Sequence, residues 1–506
     1  MRFLSDADLD KLAPADSATP ATPIPTQVVS NGEFTPLPQS EDQRRVEARI
    51  AALAEDYGRR HGLSRRKFLA SSAGMAAAFI ALNEVFGPTF SVAAAEAATP
   101  GAADERARAL ANQFIIDVQT HFVRDDYRNE VLIGLAAFAK QHWNPALAGN
   151  ESLTRFKFEN YIKEIYVDSD TKVALISGTP TDDPANFFLT NDQIEAARAA
   201  VNGIAGSRRL LSHSIITPGS AGWLEEVDRC IDVVKPDSWK GYTIGDPVFQ
   251  TKRHSNWRMD DERLVYPWYE KALKAGITTI CVHKGLMPAD YQTSWPDLWQ
   301  YSSVWDVGKA AKDWPQLKFV IYHSALRPFI ELPDAELDHF DKTGRIDWVT
   351  DLAEIPAKFG VTNVYAELGT SFANSCITHP RLAAALLGTV IRDMGLDHVL
   401  WGTDSVWYGS PQWQIEALRR LEIPQDMQKK HGFAPLGSAN GVVKNAIFAG
   451  NAARLYSLDV NVVANSLSSD QLGAMKQEYA RLGAERSNLR YGYVARAGAD
   501  PMSGRT

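Results

Sequence analysis

Eight short apolar segments, each rich in β-branched residues, alternate with stretches of helical periodicity from about residue 98 onward. Each strand-like segment ends in Gly, Pro, Ser or a polar cluster, which is the pattern of repeated βα units. Eight such units over roughly 300 residues predict an α/β protein with the (β/α)8 TIM-barrel fold. The predicted strands are Phe114–Val118, Lys172–Ser177, Arg209–Thr217, Trp239–Ile244, Thr278–His283, Leu317–His323, Asn363–Leu368 and His398–Thr403.

An open, doubly wound sheet is the alternative arrangement of the same alternating elements. Its nucleotide-binding loops have the motifs G-x-G-x-x-G or G-x-x-x-x-G-K-[ST] after a strand, and neither motif follows any predicted strand. The barrel is therefore preferred. We expect it over residues 98–458, with a last helix at 446–456 and a C-terminal helix and tail over 459–506.

The first hundred residues are predicted to lie outside the barrel. Residues 12–40 are rich in Pro, Thr, Ser and Ala with almost no aromatic side chains, and such a composition predicts disorder. Apolar residues recur near helical spacing over 41–60, which predicts a weakly amphipathic helix. Residues 1–63 are thus expected to form a disordered or helical N-terminal extension.

Residues 64–97 resemble a twin-arginine export signal. The sequence Ser-Arg-Arg-Lys-Phe-Leu at 64–69 precedes a run of small apolar residues over 70–82, and an A-x-A-like cleavage site follows at 92–97. Polar residues at 83–84 and a Gly-Pro pair at 87–88 interrupt the run short of the roughly 20 apolar residues that a membrane span needs. The resemblance implies export of the folded chain by the twin-arginine machinery, to the periplasm or beyond.

Composition and motifs exclude several other classes. The chain has 53 basic and 61 acidic residues, a net charge of −8 and a pI near 5.8, which argues against nucleic acid or anionic membrane as a main partner. Its three cysteines, Cys230, Cys281 and Cys376, lie far apart without a C-x-x-C, so a disulfide scaffold or a cysteine-built metal cluster is excluded. No G-x-S-x-G motif occurs, which disfavours a serine hydrolase.

Ionisable residues follow four of the predicted strands, and in a barrel the carboxyl ends of the strands share one face. The first strand continues into Gln119-x-His121, whose side chains lie on the same side of a strand. The fifth strand ends in His283, the sixth in His323, and Asp404 follows the eighth. Two or three imidazoles with one carboxylate suit a catalytic divalent ion that keeps an open position for water.

In their order and spacing these residues resemble the amidohydrolase superfamily. The resemblance rests on Asp-x-x-x-His at 117–121, the histidines that close strands five and six, Gly-Thr-Asp at 402–404 and Asn-Ala-Ala-Arg-Leu-Tyr at 451–456. It covers about residues 113–458. The most similar branch contains the amidohydrolase-related hydrolases together with the aminocarboxymuconate and resorcylate-type decarboxylases.

The resemblance implies that His121, His283 and Asp404 bind one divalent metal ion, zinc in preference to manganese. It makes His323 the residue that polarises a substrate carbonyl or transfers a proton. Asp404 would also be the base that accepts a proton from the water that the ion activates. A homodimer is a further expectation from the family.

Gln119 departs from the family pattern, which opens with His-x-His or, in some decarboxylases, with Glu-x-His. An amide oxygen is a neutral and weaker ligand than imidazole or carboxylate. Gln119 can bind the ion through its oxygen, a His-His-Asp site can form with additional water, or metal binding can be lost. The first two outcomes together are preferred, because the remaining residues of the set are all present.

Five further residues are predicted to contact the substrate. Lys240 and Tyr242 belong to the fourth strand, and Glu367 closes the seventh. Trp407, together with the next residue, Tyr408, follows Asp404 as a wall of an aromatic pocket. Arg327 follows His323 and is predicted to pair with a substrate carboxylate, with a solvated surface cation as the alternative. An aromatic stretch over 295–305 is predicted to form a lid or an oligomer contact.

Metal-dependent hydrolysis of a small cyclic amide, ester or lactone-like substrate is the leading prediction of function. Non-oxidative decarboxylation of an aromatic or muconate-type acid uses the same ligands and is the first alternative. A metal-free exported binding protein on a degenerate barrel is the second. Metal content and product analysis distinguish the three.

Overall fold

The computed structural model describes residues 11–15, 22–122, 158–179, 189–245, 256–287, 291–327, 333–467, 470–484, 486 and 488–496. Within these ranges, eight parallel strands follow one another in chain order in a single sheet. They are β1 (Ile116–Thr120), β2 (Val173–Ile176), β3 (Leu210–Ile215), β4 (Ser238–Tyr242), β5 (Thr279–His283), β6 (Lys318–Tyr322), β7 (Val364–Glu367) and β8 (Val399–Leu400).

The sheet closes on itself, because the chain that follows β8 pairs with β1. Val118 N donates to Trp401 O at 3.0 Å, and Asp404 N donates to Gln119 O at 3.0 Å. Closure satisfies the backbone groups that an open sheet edge would expose. The prediction of a (β/α)8 TIM barrel is therefore confirmed, and each predicted strand overlaps an observed one.

Alternate residues of each strand divide between the barrel interior and the surrounding helices. In β5, Cys281 belongs to the interior cluster that contains Val118 and Leu400, whereas Ile280 and Val282 pack in the outer layer. His283 lies two residues beyond Cys281 on the same face. Its imidazole therefore points inward at the carboxyl end of the barrel.

Helices surround the barrel and extend towards both termini. In the described ranges none of them combines the length and the apolarity needed to cross a bilayer. The longer α-helices are Glu41–Arg60, Ser72–Phe86, Ala102–Leu110, Asn191–Ala205, Trp223–Arg229, Tyr266–Lys274, Val307–Asp313, Pro333–Thr343, Gly369–Thr378, Pro380–Met394, Gln412–Arg420, Gln425–His431, Val460–Leu467 and Gln471–Arg481. The shorter ones are Arg65–Leu69, Ala94–Ala98, Phe158–Ile162, Tyr291–Ser294, Trp299–Ser302, Val349–Ala353, Ile355–Phe359, Val442–Asn445 and Asn451–Leu455, and π-helical turns span Lys163–Val167, Cys230–Val234 and Ala446–Gly450.

The N-terminal segment 22–40 packs against the barrel, so the prediction of disorder is wrong for these residues. Ile24, Val28 and Phe34 are each at most 1% exposed. Residues 12–14 pair antiparallel with residues 493–495 near the other terminus. A composition poor in aromatic residues cannot form its own core, but here the barrel supplies the apolar surface that covers the segment.

The segment with the predicted export signal also belongs to the fold. Helix Ser72–Phe86 buries ten consecutive residues from Ala73 to Leu82 in the same apolar cluster as the outer barrel layer. Glu422 N donates to Thr89 O at 2.9 Å and attaches the end of this segment to the barrel. The helix predicted over 41–60 is present. Export itself stays a prediction.

A buried network of charges joins this segment to the barrel. Glu416 lies within 2.6 Å of Arg106, 2.8 Å of Arg419 and 3.1 Å of Arg420, and Arg420 also pairs with Glu96 at 2.5 Å. Burial alone would raise the pKa of Glu416, but the three arginines lower it to about 2. The carboxylate is therefore a fixed negative charge at the junction.

We predict that Glu416→Gln lowers the free energy of unfolding by about 3 kcal/mol at pH 7, because the buried Arg419 and Arg420 and the half-buried Arg106 lose their shared anion. The folded-state pKa of Glu416 lies below its ordinary value of 4.5, so its stabilisation is complete above that pH and is lost as the pH falls towards 2. Urea unfolding at several pH values measures the effect, with the exposed Glu225→Gln as the control. A difference that stays constant on acidification would contradict the assignment.

Candidate active site

Side chains from four strand ends meet at the carboxyl end of the barrel, which we call the mouth. Gln119 and His121 lie at and just beyond the end of β1, His283 ends β5, His323 follows β6 and Asp404 lies beyond β8. Each is at most 1% exposed. The structure thus brings together all the residues that the strand ends predicted as ligands or catalytic groups.

Asp404 is the residue on which the other side chains converge. Its Oδ1 lies 2.9 Å from His121 Nε2 and accepts a hydrogen bond from Gln119 Nε2 at 3.0 Å. Its Oδ2 accepts hydrogen bonds from Thr370 Oγ1 at 2.5 Å and from Asn31 Nδ2 at 2.9 Å. Burial alone would raise the pKa of Asp404, but His121 and these donors hold it well below its ordinary range. Asp404 is therefore an ionised carboxylate.

One contact joins the two short motifs that meet where the barrel closes, Asp-x-x-x-His at 117–121 and Gly-Thr-Asp at 402–404. Asp117 Oδ1 accepts the Thr403 N–H at 3.1 Å, and its Oδ2 accepts the Thr403 hydroxyl at 2.5 Å. A Cβ at Gly402 would overlap Glu367 Oε1, so a larger residue there would displace the Glu367 carboxylate. Asp117 and Gly402 thus position the turn that carries Asp404.

Asp404 and His323 both adopt left-handed backbone conformations, with φ of 56° and 59°. Residues other than glycine rarely adopt these angles, which cost about 1–3 kcal/mol each and concentrate at functional sites. His323 comes directly after β6, and Asp404 lies four residues beyond the end of β8.

Several buried polar atoms at the mouth have no hydrogen-bond partner among the described residues. They include both ring nitrogens of His323, Oε1 of Glu367 and Oε1 of Gln119. Burial lowers the pKa of His323 to about 3 and raises that of Glu367 to about 8. An unsatisfied buried polar group costs about 1–3 kcal/mol, so these atoms are placed to bind something besides each other.

Glu33, from the N-terminal segment, joins this cluster. Its Oε1 lies 3.7 Å from His283 Nδ1 and accepts a hydrogen bond from the Tyr242 hydroxyl at 3.2 Å. Ligand atoms of Glu33, His283 and His323 all lie within 4.8 Å of one another. A carboxylate and two imidazoles at this spacing fit a divalent ion of the zinc or manganese type. The mouth thus contains a candidate metal site.

The fourth strand contributes two of the predicted substrate residues. Tyr242 stacks on His283 with ring centroids 4.5 Å apart, and the register of β4 and β5 places the two side by side. Lys240 pairs with Cys281 one layer deeper, and its Nζ lies 3.3 Å from the centroid of the Tyr322 ring. Burial lowers the pKa of Lys240 to about 8. Lys240 is therefore a buried amine beneath the cluster.

Two other predicted substrate residues have different contacts. The Arg327 guanidinium lies 2.7 Å from Asp347 and 3.6 Å from Glu336, instead of pointing at the cluster as an unpaired cation. The backbone carbonyl of Trp407 accepts hydrogen bonds from residues 491 and 492, while the next residue, Tyr408, reaches Thr370 at 2.8 Å. The structure therefore assigns the aromatic wall near Asp404 to Tyr408 and gives Arg327 an ion-pair role.

We predict that Arg327→Ala leaves kcat/KM within about twofold of wild type for a carboxylated substrate, because the guanidinium is partly exposed and already paired with acidic side chains. Steady-state kinetics with a carboxylated substrate and with its uncharged analogue measure the effect. A tenfold rise in KM that is confined to the carboxylated substrate would restore the predicted clamp.

Sequence reasoning missed Glu33, Asn31 and Thr370. Thr370 lies three residues beyond Glu367, so inspection of the chain after the seventh strand would have found it. Glu33 and Asn31 lie in a proline-rich stretch far from every strand end. No periodicity or motif marks them, and only the three-dimensional packing brings them to the mouth.

The fold and the site define a closed (β/α)8 barrel with a cluster of imidazoles and carboxylates at the carboxyl ends of its strands. A sequence model of the amidohydrolase family, described as "Amidohydrolase", matches residues 247–458. This match includes His283, His323 and Asp404. No curated protein is significantly similar to the chain.

Three solved structures with a similar fold illustrate the range of similar proteins. An uncharacterised TIM-barrel protein from Bordetella bronchiseptica is 15% identical over 68% of this chain and 98% of its own, with a TM-score of 0.39. A 4-oxalomesaconate hydratase from Rhodopseudomonas palustris is 15% identical over 73% and 99%, with a TM-score of 0.38. A 5-carboxyvanillate decarboxylase from Novosphingobium aromaticivorans, complexed with manganese, is 12% identical over 69% and 97%, with a TM-score of 0.37. None of these similarities assigns a reaction to this chain.

Proposed function

We propose that the protein is a metal-dependent hydrolase of the amidohydrolase type that acts on a small cyclic amide, ester or lactone. The observation that carries the proposal is that two buried pairs lie at the barrel mouth: His121 with Asp404 at 2.9 Å, and His283 with His323 at a centroid distance of 4.9 Å. The amidohydrolase match over residues 247–458 supports the same class.

The residues at the mouth fit a divalent ion, because the cluster is buried and both ring nitrogens of His323 lack a hydrogen-bond partner among the described residues. His121, His283 and Asp404 would hold the ion, with Gln119 beside them. A bound divalent ion, zinc in preference to manganese, supplies Lewis acidity that polarises a carbonyl and lowers the pKa of water.

The side chains of the mouth supply the remaining steps. Asp404 is ionised, and its carboxylate accepts the proton of the attacking water. His323 is neutral and offers a ring nitrogen to the carbonyl oxygen of the substrate. Tyr242 stacks on His283 and keeps that ring in place. The buried setting excludes bulk water, which strengthens each of these interactions.

Decarboxylation of an aromatic acid is a second candidate, and a neighbouring aromatic cluster favours it. Tyr242 belongs to a group of buried apolar side chains that also contains Tyr291 and Trp348, with Trp299 packed against it. The Trp299 and Trp348 rings are stacked with centroids 6.1 Å apart. Flat apolar surfaces of this kind suit a planar ring, and Lys240 lies beneath as a buried amine.

Product analysis in H₂¹⁸O tests the proposal. The full-length protein, loaded with Zn²⁺ or Mn²⁺, is incubated with panels of lactones, cyclic amides and aromatic acids. Hydrolysis places one ¹⁸O atom in the product, whereas decarboxylation releases CO₂ and leaves the ring unlabelled. Asp404→Asn serves as the inactive control. A protein that retains no metal and turns over no substrate would instead be the exported binding protein.

We propose in addition that the chain is exported by the twin-arginine machinery. The three basic residues Arg65, Arg66 and Lys67 are exposed, which leaves the motif accessible to a receptor. Cell fractionation of the wild type and of a double variant, Arg65→Lys with Arg66→Lys, tests export, and the variant is expected to stay in the cytoplasm.

Light scattering on the purified protein tests the proposed homodimer.

A further inference from the structure

We propose that Glu33 is an additional ligand of the divalent ion and that it binds the ion beside His283. The N-terminal segment, which the amidohydrolase match does not include, would thus complete the active site of the barrel. The inference rests on the proposed function, because it assigns a ligand to the ion on which that function depends.

The loop around Glu33 is built to hold its carboxylate in place. Ser30 exchanges two backbone hydrogen bonds with Tyr493, at 2.7 and 2.9 Å, and its hydroxyl accepts the Gly32 N–H at 2.9 Å. Gly32 has a φ of +96°, which few residues other than glycine adopt. Asn31 Oδ1 accepts the Glu33 N–H at 3.1 Å. These contacts fix a tight turn whose last side chain reaches into the mouth.

Glu33 is one of two neighbouring buried carboxylates. It is 3% exposed, and its Oε1 lies 3.7 Å from His283 Nδ1. Asn31 Nδ2 donates both to Glu33 Oε2 at 2.8 Å and to Asp404 Oδ2 at 2.9 Å, so a single amide nitrogen links two buried carboxylates. Two such charges close together are unfavourable unless positive charge lies beside them. Lys240 interacts electrostatically with both carboxylates from one layer deeper, and a divalent ion at Glu33 would add further positive charge.

The geometry of the imidazoles points to the same position. His283 and His323 have ring centroids 4.9 Å apart, and their ligand atoms lie within 4.8 Å of a Glu33 carboxylate oxygen. The two ring nitrogens of His323 have no hydrogen-bond partner among the described residues. An ion bound by Glu33 and His283 would therefore lie next to His323, whose ring nitrogens remain available to the substrate.

Glu33 also compensates for the departure at Gln119. The Gln119 amide nitrogen donates to Asp404 at 3.0 Å, so that end of the side chain serves as a donor and not as a ligand. A neutral amide adds no negative charge to the site, whereas Glu33 does. The N-terminal segment thus supplies a negative charge that the neutral Gln119 side chain does not.

The position of Glu33 in the chain links metal binding to processing. Glu33 precedes the predicted export signal at 64–97. Cleavage near residue 97 would therefore cut the chain between Glu33 and the barrel. If Glu33 is a ligand, the active form keeps the N-terminal segment on the barrel.

Calorimetric titration of the metal-free full-length protein with Zn²⁺ alone tests the assignment. We expect Glu33→Gln to weaken Zn²⁺ binding by about 100-fold or more, since loss of even an outer-sphere partner costs 10–100-fold. Glu41→Gln, which removes an exposed carboxylate eight residues further on, is the matched control and should bind as wild type does. Cobalt replaces zinc for a second readout, because its visible absorption changes when a ligand is lost.

The outcomes separate the two proposals. Weaker Zn²⁺ binding and an altered Co²⁺ spectrum in Glu33→Gln, but not in Glu41→Gln, support the ligand. Binding and spectrum that match wild type in Glu33→Gln overturn the ligand and leave the proposed function standing. No binding in the wild type overturns both. If Glu33→Gln does not fold, Glu33→Asp keeps the charge and shortens the side chain, and an unchanged affinity and spectrum in that variant overturn the ligand.

Discussion

Replacing His283 by alanine is expected to remove the bound ion and to abolish turnover. His283 belongs both to the ligand set implied by the resemblance, with His121 and Asp404, and to the group that it forms with Glu33 and His323. Either arrangement loses a ligand. We expect kcat/KM to fall by about 10³-fold or more, because a catalytic metal supplies several kcal/mol of transition-state stabilisation.

Elemental analysis of the purified proteins measures the loss directly. His213→Gln is the matched control, because His213 is also a fully buried histidine on the inner face of the barrel. Its ring nitrogens contact Tyr322 Oη at 2.7 Å and Ser238 Oγ at 2.8 Å, so both are already bonded within the protein. That variant should lose stability and keep its metal. A His283→Ala protein that retains one ion per chain would place the metal elsewhere.

The barrel and most of its mouth could be predicted from sequence for a physical reason. A parallel strand that is buried on both faces needs a run of apolar residues, and polar residues follow at its carboxyl end. Both the strand and the site residues that follow it therefore leave a signal in the local sequence. His283 and His323 follow their strands directly. The contact that fixes the closure, between Asp117 and Thr403, joins distant parts of the chain and has no local signal.

The contribution of Glu33 could not be predicted in this way. Its position depends on the Ser30–Tyr493 pairing, which joins residues near opposite ends of the chain. Arg327 is the opposite case. Its position after His323 predicted a residue that binds the substrate, but in the structure it forms ion pairs with Asp347 and Glu336. Long-range partners decide both cases, and neither has a local signal.

Composition is ambiguous near the N terminus, because the same features serve two purposes. A run of small apolar residues over 70–82 is what an export signal needs, and it is also what a tightly packed helix needs. Ala76, Ala77, Ala78 and Ala81 are fully buried, and a Cβ at Gly74 would overlap the backbone of Phe68. Small residues let this helix approach its neighbours closely, as a core helix does.

We therefore expect Phe79→Ala in the full-length protein to lower the free energy of unfolding by about 3–5 kcal/mol, as truncation of a buried aromatic side chain does. The Phe79 ring is 1% exposed, lies 4.9 Å from the Phe90 ring and has the Arg420 guanidinium 5.5 Å above it. Urea unfolding followed by tryptophan fluorescence measures the change. Leu63→Ala is the control, because Leu63 is 36% exposed, and it should change the free energy by no more than about 0.5 kcal/mol. A Phe79→Ala protein as stable as wild type would mean that the helix is a detachable leader and does not contribute to the folded core.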